Sequence, residues 1–196
     1  MMAGSGPSGR LLVRPARAED APALAEMFND LNEHVGMPGR SFTAERIRDA
    51  SFGPAAALTA IVAELDGTLA GYAAFAPSYN TDIAARSVWL HDLFVVASAR
   101  GHGVGHALMT AVAAETERLG GMALEWGVHV ANTGAVEFYR RLGASDADIR
   151  IMSLDFEGVR ALARGAPPGP GDPGGTGPRA RGIVPLPPLD QPGAGA

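Results

Sequence analysis

The sequence predicts a single mixed α/β domain, with helices layered against a sheet. Three features carry this. Segments with apolar residues at helical spacing alternate with short β-leaning apolar runs. An Asp66-Gly67 pair joins two of those runs as a hairpin turn. The excess of glycine and proline, 26 and 15 residues in a chain of 196, gathers largely at the C-terminal end. Residues 11–13 open a short strand that Pro15 ends. Asp20 is placed to cap a helix carrying Leu24, Met27, Phe28, Leu31 and Val35 on one face. A second short helix follows Thr43. Residues 58–65 and 69–75 flank the Asp-Gly turn as paired strands. Residues 88–96 (VWLHDLFVV) are apolar on both faces except for His91 and Asp92, the pattern of a central strand. A glycine-rich turn at 101–105 leads into a helix with Val104, Leu108, Ala111, Val112 and Leu119 on one side, stopped by Gly120-Gly121. Residues 123–130 read as a strand. Asn132 caps a helix that runs to about Leu142 and ends at Gly143, and residues 149–156 read as a last strand before a short closing helix.

Composition excludes several chemistries. All 16 basic residues are arginine, and there is no cysteine. A Walker-type phosphate loop and a lysine Schiff base are therefore excluded, as are a thiol nucleophile, a disulfide and a cysteine-based metal site. Residues 1–10 are small and polar, a flexible N-terminus without the apolar core of a signal peptide. Residues 165–196 hold 9 Gly and 9 Pro and are expected to be a disordered tail. Within it Pro185 and Pro188 have P-x-x-P spacing, which proline-rich sequence also produces by accident. No apolar run approaches the roughly 18 residues of a membrane span. The expectation is a soluble, cytoplasmic protein whose domain occupies residues 11–164.

The loop Arg100-Gly101-His102-Gly103-Val104-Gly105 stands between an apolar strand and a helix. Amides at a helix start lack intrahelical acceptors and lie at the positive end of the dipole, so they attract anions. Glycines let a phosphate approach that backbone closely. A tight strand-to-helix turn would use the same residues. A dinucleotide-binding fingerprint fails, because Leu108 stands where its third glycine belongs.

Arg100-x-x-Gly103-x-Gly105 after an apolar strand resembles the acyl-CoA pyrophosphate loop of the GNAT superfamily of N-acetyltransferases. A second matching motif follows in order: Asn132-x-x-Ala135-x-x-Phe138-Tyr139-x-x-Leu142-Gly143-Ala144. More narrowly, Leu90-His91-Asp92-Leu93-Phe94-Val95, Phe138-Tyr139-Arg140-Arg141-Leu142-Gly143-Ala144-Ser145-Asp146 and Arg14-Pro15-Ala16 are similar to the diamine (spermidine/spermine-type) acetyltransferase branch. The resemblance implies a mostly antiparallel central sheet flanked by helices, with a splayed strand pair that holds acyl-CoA. It also implies acetyl-CoA as acyl donor, no metal, and a homodimer.

Residue by residue, the resemblance assigns the backbone of Leu93, Phe94 and Val95 to the pantetheine arm, which is peptide-like and can be read as an added strand. It assigns the amides of Gly101, His102, Gly103, Val104, Gly105 and His106 to the pyrophosphate, with Arg100 at the loop mouth. Asn132 and Ala135 also align with cofactor contacts. Tyr139 aligns with the general acid that protonates the departing thiolate, a fitting task for a phenol of pKa about 10. In the diamine branch a glutamate stands at the position of His91. A histidine there can still serve as base near neutral pH, but the lost carboxylate removes an anionic contact for a polyamine. Asp92 is expected on the other sheet face in a structural role. His102 and His106, four apart, are not expected to hold a metal, since a cation there would oppose the dipole. His34, Glu125 and Trp126 align near the acceptor side, as do Glu33, Tyr79, Asn80 and Asp82.

Residues 11–164 carry 13 arginines against 19 carboxylates, a balance that favours a cationic acceptor and disfavours nucleic acid. The function expected is direct acetyl transfer to a primary amine of a small molecule: a diamine, a basic amino acid or an amine xenobiotic. A protein or peptide N-acetyltransferase fits the same motifs and would need a groove for an extended chain. A non-catalytic acyl-CoA sensor would leave Tyr139 and His91 idle. A tail-driven interaction protein would work through the P-x-x-P segment.

Overall fold

A computed structural model describes residues 9–37 and 39–165. Residues 1–8 and 166–196, including the Pro185 and Pro188 spacing, lie outside the described residues. Five strands form one sheet in sequence order: β1 (Leu11–Pro15), β2 (Thr59–Leu65), β3 (Thr68–Asn80), β4 (Ala85–Val95) and β5 (Ala123–Trp126). The first four pair antiparallel, and β5 joins β4 in parallel. The helices are α1 (Ala21–His34), α2 (Ala44–Phe52), α3 (Val104–Arg118), α4 (Thr133–Arg141) and α5 (Phe156–Ala163). The expected mixed α/β fold with a mostly antiparallel sheet is the one observed.

Alternation along the strands divides the core between two faces. On one face Leu24 and Phe28 of α1 and Ile47 of α2 pack on Val62, Tyr72 and Phe94. Phe28 stacks on Tyr72 with centroids 4.3 Å apart, an arrangement that adds about 0.5–1.5 kcal/mol beyond burial. On the other face Leu108 and Val112 of α3 pack on Phe75, Val88 and Leu90. Asp66 and Gly67 both take positive φ, as a two-residue hairpin turn requires. Gly71 is needed for close approach: an added Cβ would stand 2.5 Å from the Phe94 carbonyl oxygen across the sheet.

Four expectations change. Asp20 precedes α1 but does not cap it with its side chain. Its carboxylate instead takes both Arg14 Nη atoms at 2.7 and 2.9 Å and the Arg17 amide at 2.7 Å. A guanidinium fixed on β1 outcompetes a helix amide, because a charge-assisted bidentate bond is the stronger one. β3 runs on to Asn80, since β4 continues opposite it through Ala85. β5 ends at Trp126 rather than 130, where Gly127 begins the turn that leads to the Asn132 cap of α4. Residues 149–155 form no strand. The outer edge of β5 is only four residues long and this segment does not pair with it; Ile149, Ile151, Met152 and Leu154 face outward.

Candidate active site

β4 is paired on both sides only in part. Its contact with β5 runs from Ser87 opposite Ala123 to Leu90 opposite Trp126, while β3 stays paired to Val95. From residue 91 onward the strand has a free backbone edge on the β5 side. At this point the ladder slips: Phe75 opposes Leu90 and Ala74 opposes Asp92, leaving His91 as the extra residue of a bulge. The bulge puts Leu93 and Val95 on the α3 face and Phe94 on the α1 face.

A 3-10 turn at Ala97–Ala99 carries the chain into Arg100, whose Nε donates to Val95 O at 3.1 Å. Gly101 and Gly103 have φ of +80° and +79°, and Gly103 caps α3. Ala107 N donates to Gly103 O at 3.0 Å, so the amides before it are at the open start of the helix. A cavity of about 390 Å³ lies in front of them. Leu93 and Val95 form one wall, the Arg100–His106 loop another, and Ala135, Phe138, Tyr139 and Arg141 of α4 the third. A Cβ added at Gly101 or Gly103 would meet no atom within 4 Å; the strain at these positions comes from their positive φ. A chain lying on the free β4 edge and ending in an anion at the α3 start fits this shape and polarity.

Tyr139 is half-buried, with its ring 4.8 Å from that of Trp126 and 5.2 Å from that of Phe138. Burial, and then the charge of Asp92, pushes its phenol up to about 12. It is therefore protonated at neutral pH and able to donate. Asp92 is itself half-buried, and desolvation holds its carboxyl above the usual range.

The structure brings Leu93, Val95, Arg100, Gly101, Gly103, Val104, Gly105, His106, Ala135 and Tyr139 to one cavity. Phe94 contributes its side chain to the opposite core. His102 is exposed, with Nδ1 3.0 Å from Arg100 O, and does not line the cavity. Asn132 accepts from Ala135 N at 3.2 Å as the α4 cap. His91 is exposed at the bulge, and His34 is exposed at the end of α1. Glu33 is ion-paired to Arg40 at 2.8 Å. Glu125 accepts from Asn80 Nδ2 at 2.8 Å, and Trp126 lines a second cavity of about 370 Å³ with His106, Met109, Leu124 and Leu142. Among the described residues no group of three or more His, Cys, Asp or Glu could hold a metal ion, and no helix is long and apolar enough to cross a membrane. Arg141, which lines the first cavity, has no assigned role in the sequence reading. The signal for Arg141 lies in the composition: with no lysine, the permanently cationic side chains that can meet a phosphate in this chain are all arginines.

The Acetyltransferase (GNAT) family matches residues 23–144. An L-ornithine N5-acetyltransferase of Arabidopsis thaliana is 35% identical over 98 residues, covering 50% of this chain and 43% of its own length. A thialysine N-epsilon-acetyltransferase of Mus musculus is 29% identical over 164 residues, covering 77% of this chain and 96% of its own. The chain thus spans less than half the length of the plant relative and nearly all of the mouse one. Among solved structures, an integron cassette protein of V. cholerae has a TM-score of 0.66 at 21% identity, over 79% of this chain and 98% of that one. An aminoglycoside acetyltransferase from a soil metagenome has a TM-score of 0.62 at 16% identity, over 74% and 95%. These two structures speak for the fold. With the family match over residues 23–144, the chain belongs to the GNAT acetyltransferase family.

Proposed function

We propose that the protein is an acetyl-CoA-dependent N-acetyltransferase that transfers acetyl directly to a primary amine of a small molecule. The observation that carries this is the meeting, in one cavity, of the free β4 edge, the open start of α3 and the Tyr139 phenol. Arg100, Arg141 and the amides of residues 101–106 hold the pyrophosphate. The backbone of residues 93–95 pairs with the pantetheine arm. His91, on the bulge, takes the proton from the acceptor ammonium. The amine then attacks the thioester carbonyl, so that a C–N bond forms and the C–S bond breaks. Tyr139 gives its proton to the departing sulfur. No covalent enzyme intermediate is needed, in keeping with the absence of cysteine.

A diamine, a basic amino acid or an amine xenobiotic is the acceptor in this reading. The plant and mouse relatives, named for ornithine and thialysine, support an aliphatic amine, and so does the acidic balance of the domain. His34, Glu125 and Trp126 belong to the acceptor side. The working form is a homodimer, supported by the outward Ile149, Ile151, Met152 and Leu154 and by the outer edge of β5, unpaired among the described residues. The test is thiol release from acetyl-CoA with a panel of 1,4-diaminobutane, spermidine, L-ornithine and thialysine. Release with at least one amine, lost in Tyr139→Phe and His91→Ala, supports the reading. Acetyl-CoA binding without any amine turnover would favour a sensor.

A further inference from the structure

Four residues of α3 at spacings of three and four, His106, Met109, Thr110 and Ala113, share one helix face. That face does not close on α4, no residue of which is buried. The space left beside it is the second cavity, of about 370 Å³, whose other walls are Leu124 and Trp126 of β5 and the chain at Leu142, Gly143 and Ala144. No arginine, aspartate or glutamate lines it. The Thr110 hydroxyl is already engaged, donating to His106 O at 2.9 Å. The buried polar side-chain atoms without a partner among the described residues, on Tyr72 and Ser87, lie elsewhere. An apolar occupant of ligand size therefore suits this cavity, and a charged one does not.

Its position says which apolar group can enter. The first cavity begins at the α3 start, follows Val95 and Leu93 along β4 and reaches Tyr139. The second lies further along α3 and past Tyr139 toward the end of α4. The two adjoin: His106 lines both, and the Tyr139 ring of the first is 4.8 Å from the Trp126 ring of the second. Tyr139 protonates the departing sulfur in the reading above, so the acyl group of a bound thioester starts at this shared wall.

We infer that the second cavity is an acyl-chain pocket, and that the protein transfers medium-chain acyl groups such as hexanoyl as well as acetyl. The inference rests on the acetyltransferase reading and widens its donor. The chemistry of the step is unchanged. The acceptor nitrogen bonds to the thioester carbonyl carbon, the C–S bond breaks, and Tyr139 gives its proton to the sulfur. Only the chain behind the carbonyl is longer, and its methylenes leave water to lie against Met109, Leu124, Trp126 and Leu142. Each buried methylene contributes about four-fold in affinity.

The experiment uses acetyl-, butyryl- and hexanoyl-CoA with the amine of the panel turned over fastest, in wild type, Ala113→Phe and Ala144→Phe. Neither alanine belongs to the buried core, so a ring at either position fills the cavity without displacing core packing. Melting temperatures check that both variants fold, and the second variant serves if the first does not. Wild type is expected to yield the N-hexanoyl amine by mass spectrometry. By calorimetry it should bind hexanoyl-CoA about 10-fold or more tighter than acetyl-CoA. Each substitution should weaken hexanoyl-CoA by about 10-fold or more and leave the Kd and kcat/KM for acetyl-CoA unchanged. A wild type that uses acetyl-CoA and neither longer donor would overturn the pocket while leaving the acetyltransferase reading intact. So would hexanoyl transfer that both substitutions leave unchanged. Substitutions that raise the KM of the amine instead of that of the donor would give the cavity to the acceptor and overturn the pocket as well. No transfer from any donor to any amine would overturn both readings.

Discussion

At the scale of single residues, the phenol of Tyr139 shows how position creates chemistry. Burial against Trp126 and Phe138 keeps it protonated and turned to the cavity that holds the α3 start. Tyr139→Phe should lower kcat by about 100-fold or more, with acetyl-CoA affinity unchanged by calorimetry. Tyr72 has the opposite balance. Its hydroxyl has no partner, and such a group costs about 1–3 kcal/mol. Tyr72→Phe should therefore leave urea stability unchanged or raise it by about 1 kcal/mol. Asp92 has a signed pH effect. Desolvation raises its native pKa above the unfolded one, so the native state binds the extra proton between the two values. Its contribution to stability falls as pH rises through that window. Urea midpoints measured across the acidic range should show this slope in wild type and its loss in Asp92→Asn.

At the scale of elements, Arg14 ties β1, the turn before α1 and β2 together. It binds Asp20 in two places and Glu64 through Nε and Nη2 at 2.8 and 2.6 Å. Hydrogen bonding to Arg14 lowers the Asp20 pKa, so this stabilisation is present above the usual carboxylate range and is lost as pH falls through the lowered value. Arg14→Leu leaves two inward carboxylates unpaired and should cost about 3 kcal/mol by urea denaturation. The elements legible in sequence were those with local determinants. Asp66-Gly67 demands positive φ, Thr43 and Asn132 are good caps, and α1 and α3 have a continuous apolar stripe. The misread ones depend on a partner: how far β3 and β5 extend is set by neighbouring strands, and residues 149–155 have the composition of a strand but leave the four-residue edge of β5 unpaired. The bulge at His91 is a register property of two strands, so a strict period of two along β4 does not reveal which face Asp92 takes.

At the scale of the molecule, the cavity loop was readable because glycines at a helix start constrain the backbone locally, while the residues proposed for the acceptor side, His34, Glu125 and Trp126, come from α1 and β5, which no local pattern links. The outward Ile149, Ile151, Met152 and Leu154 and the outer edge of β5, unpaired among the described residues, are the features expected if a second copy covers them. Light scattering should give the mass of a dimer for the full chain, and the mass of a monomer for Ile151→Asp combined with Leu154→Asp. The most direct measurement is mass spectrometry of the amine panel after incubation with the protein and acetyl-CoA. The expected result is an N-acetylated product that forms only with both the protein and acetyl-CoA present and fades in Tyr139→Phe. Unmodified amines, together with no calorimetric binding of acetyl-CoA, would contradict it.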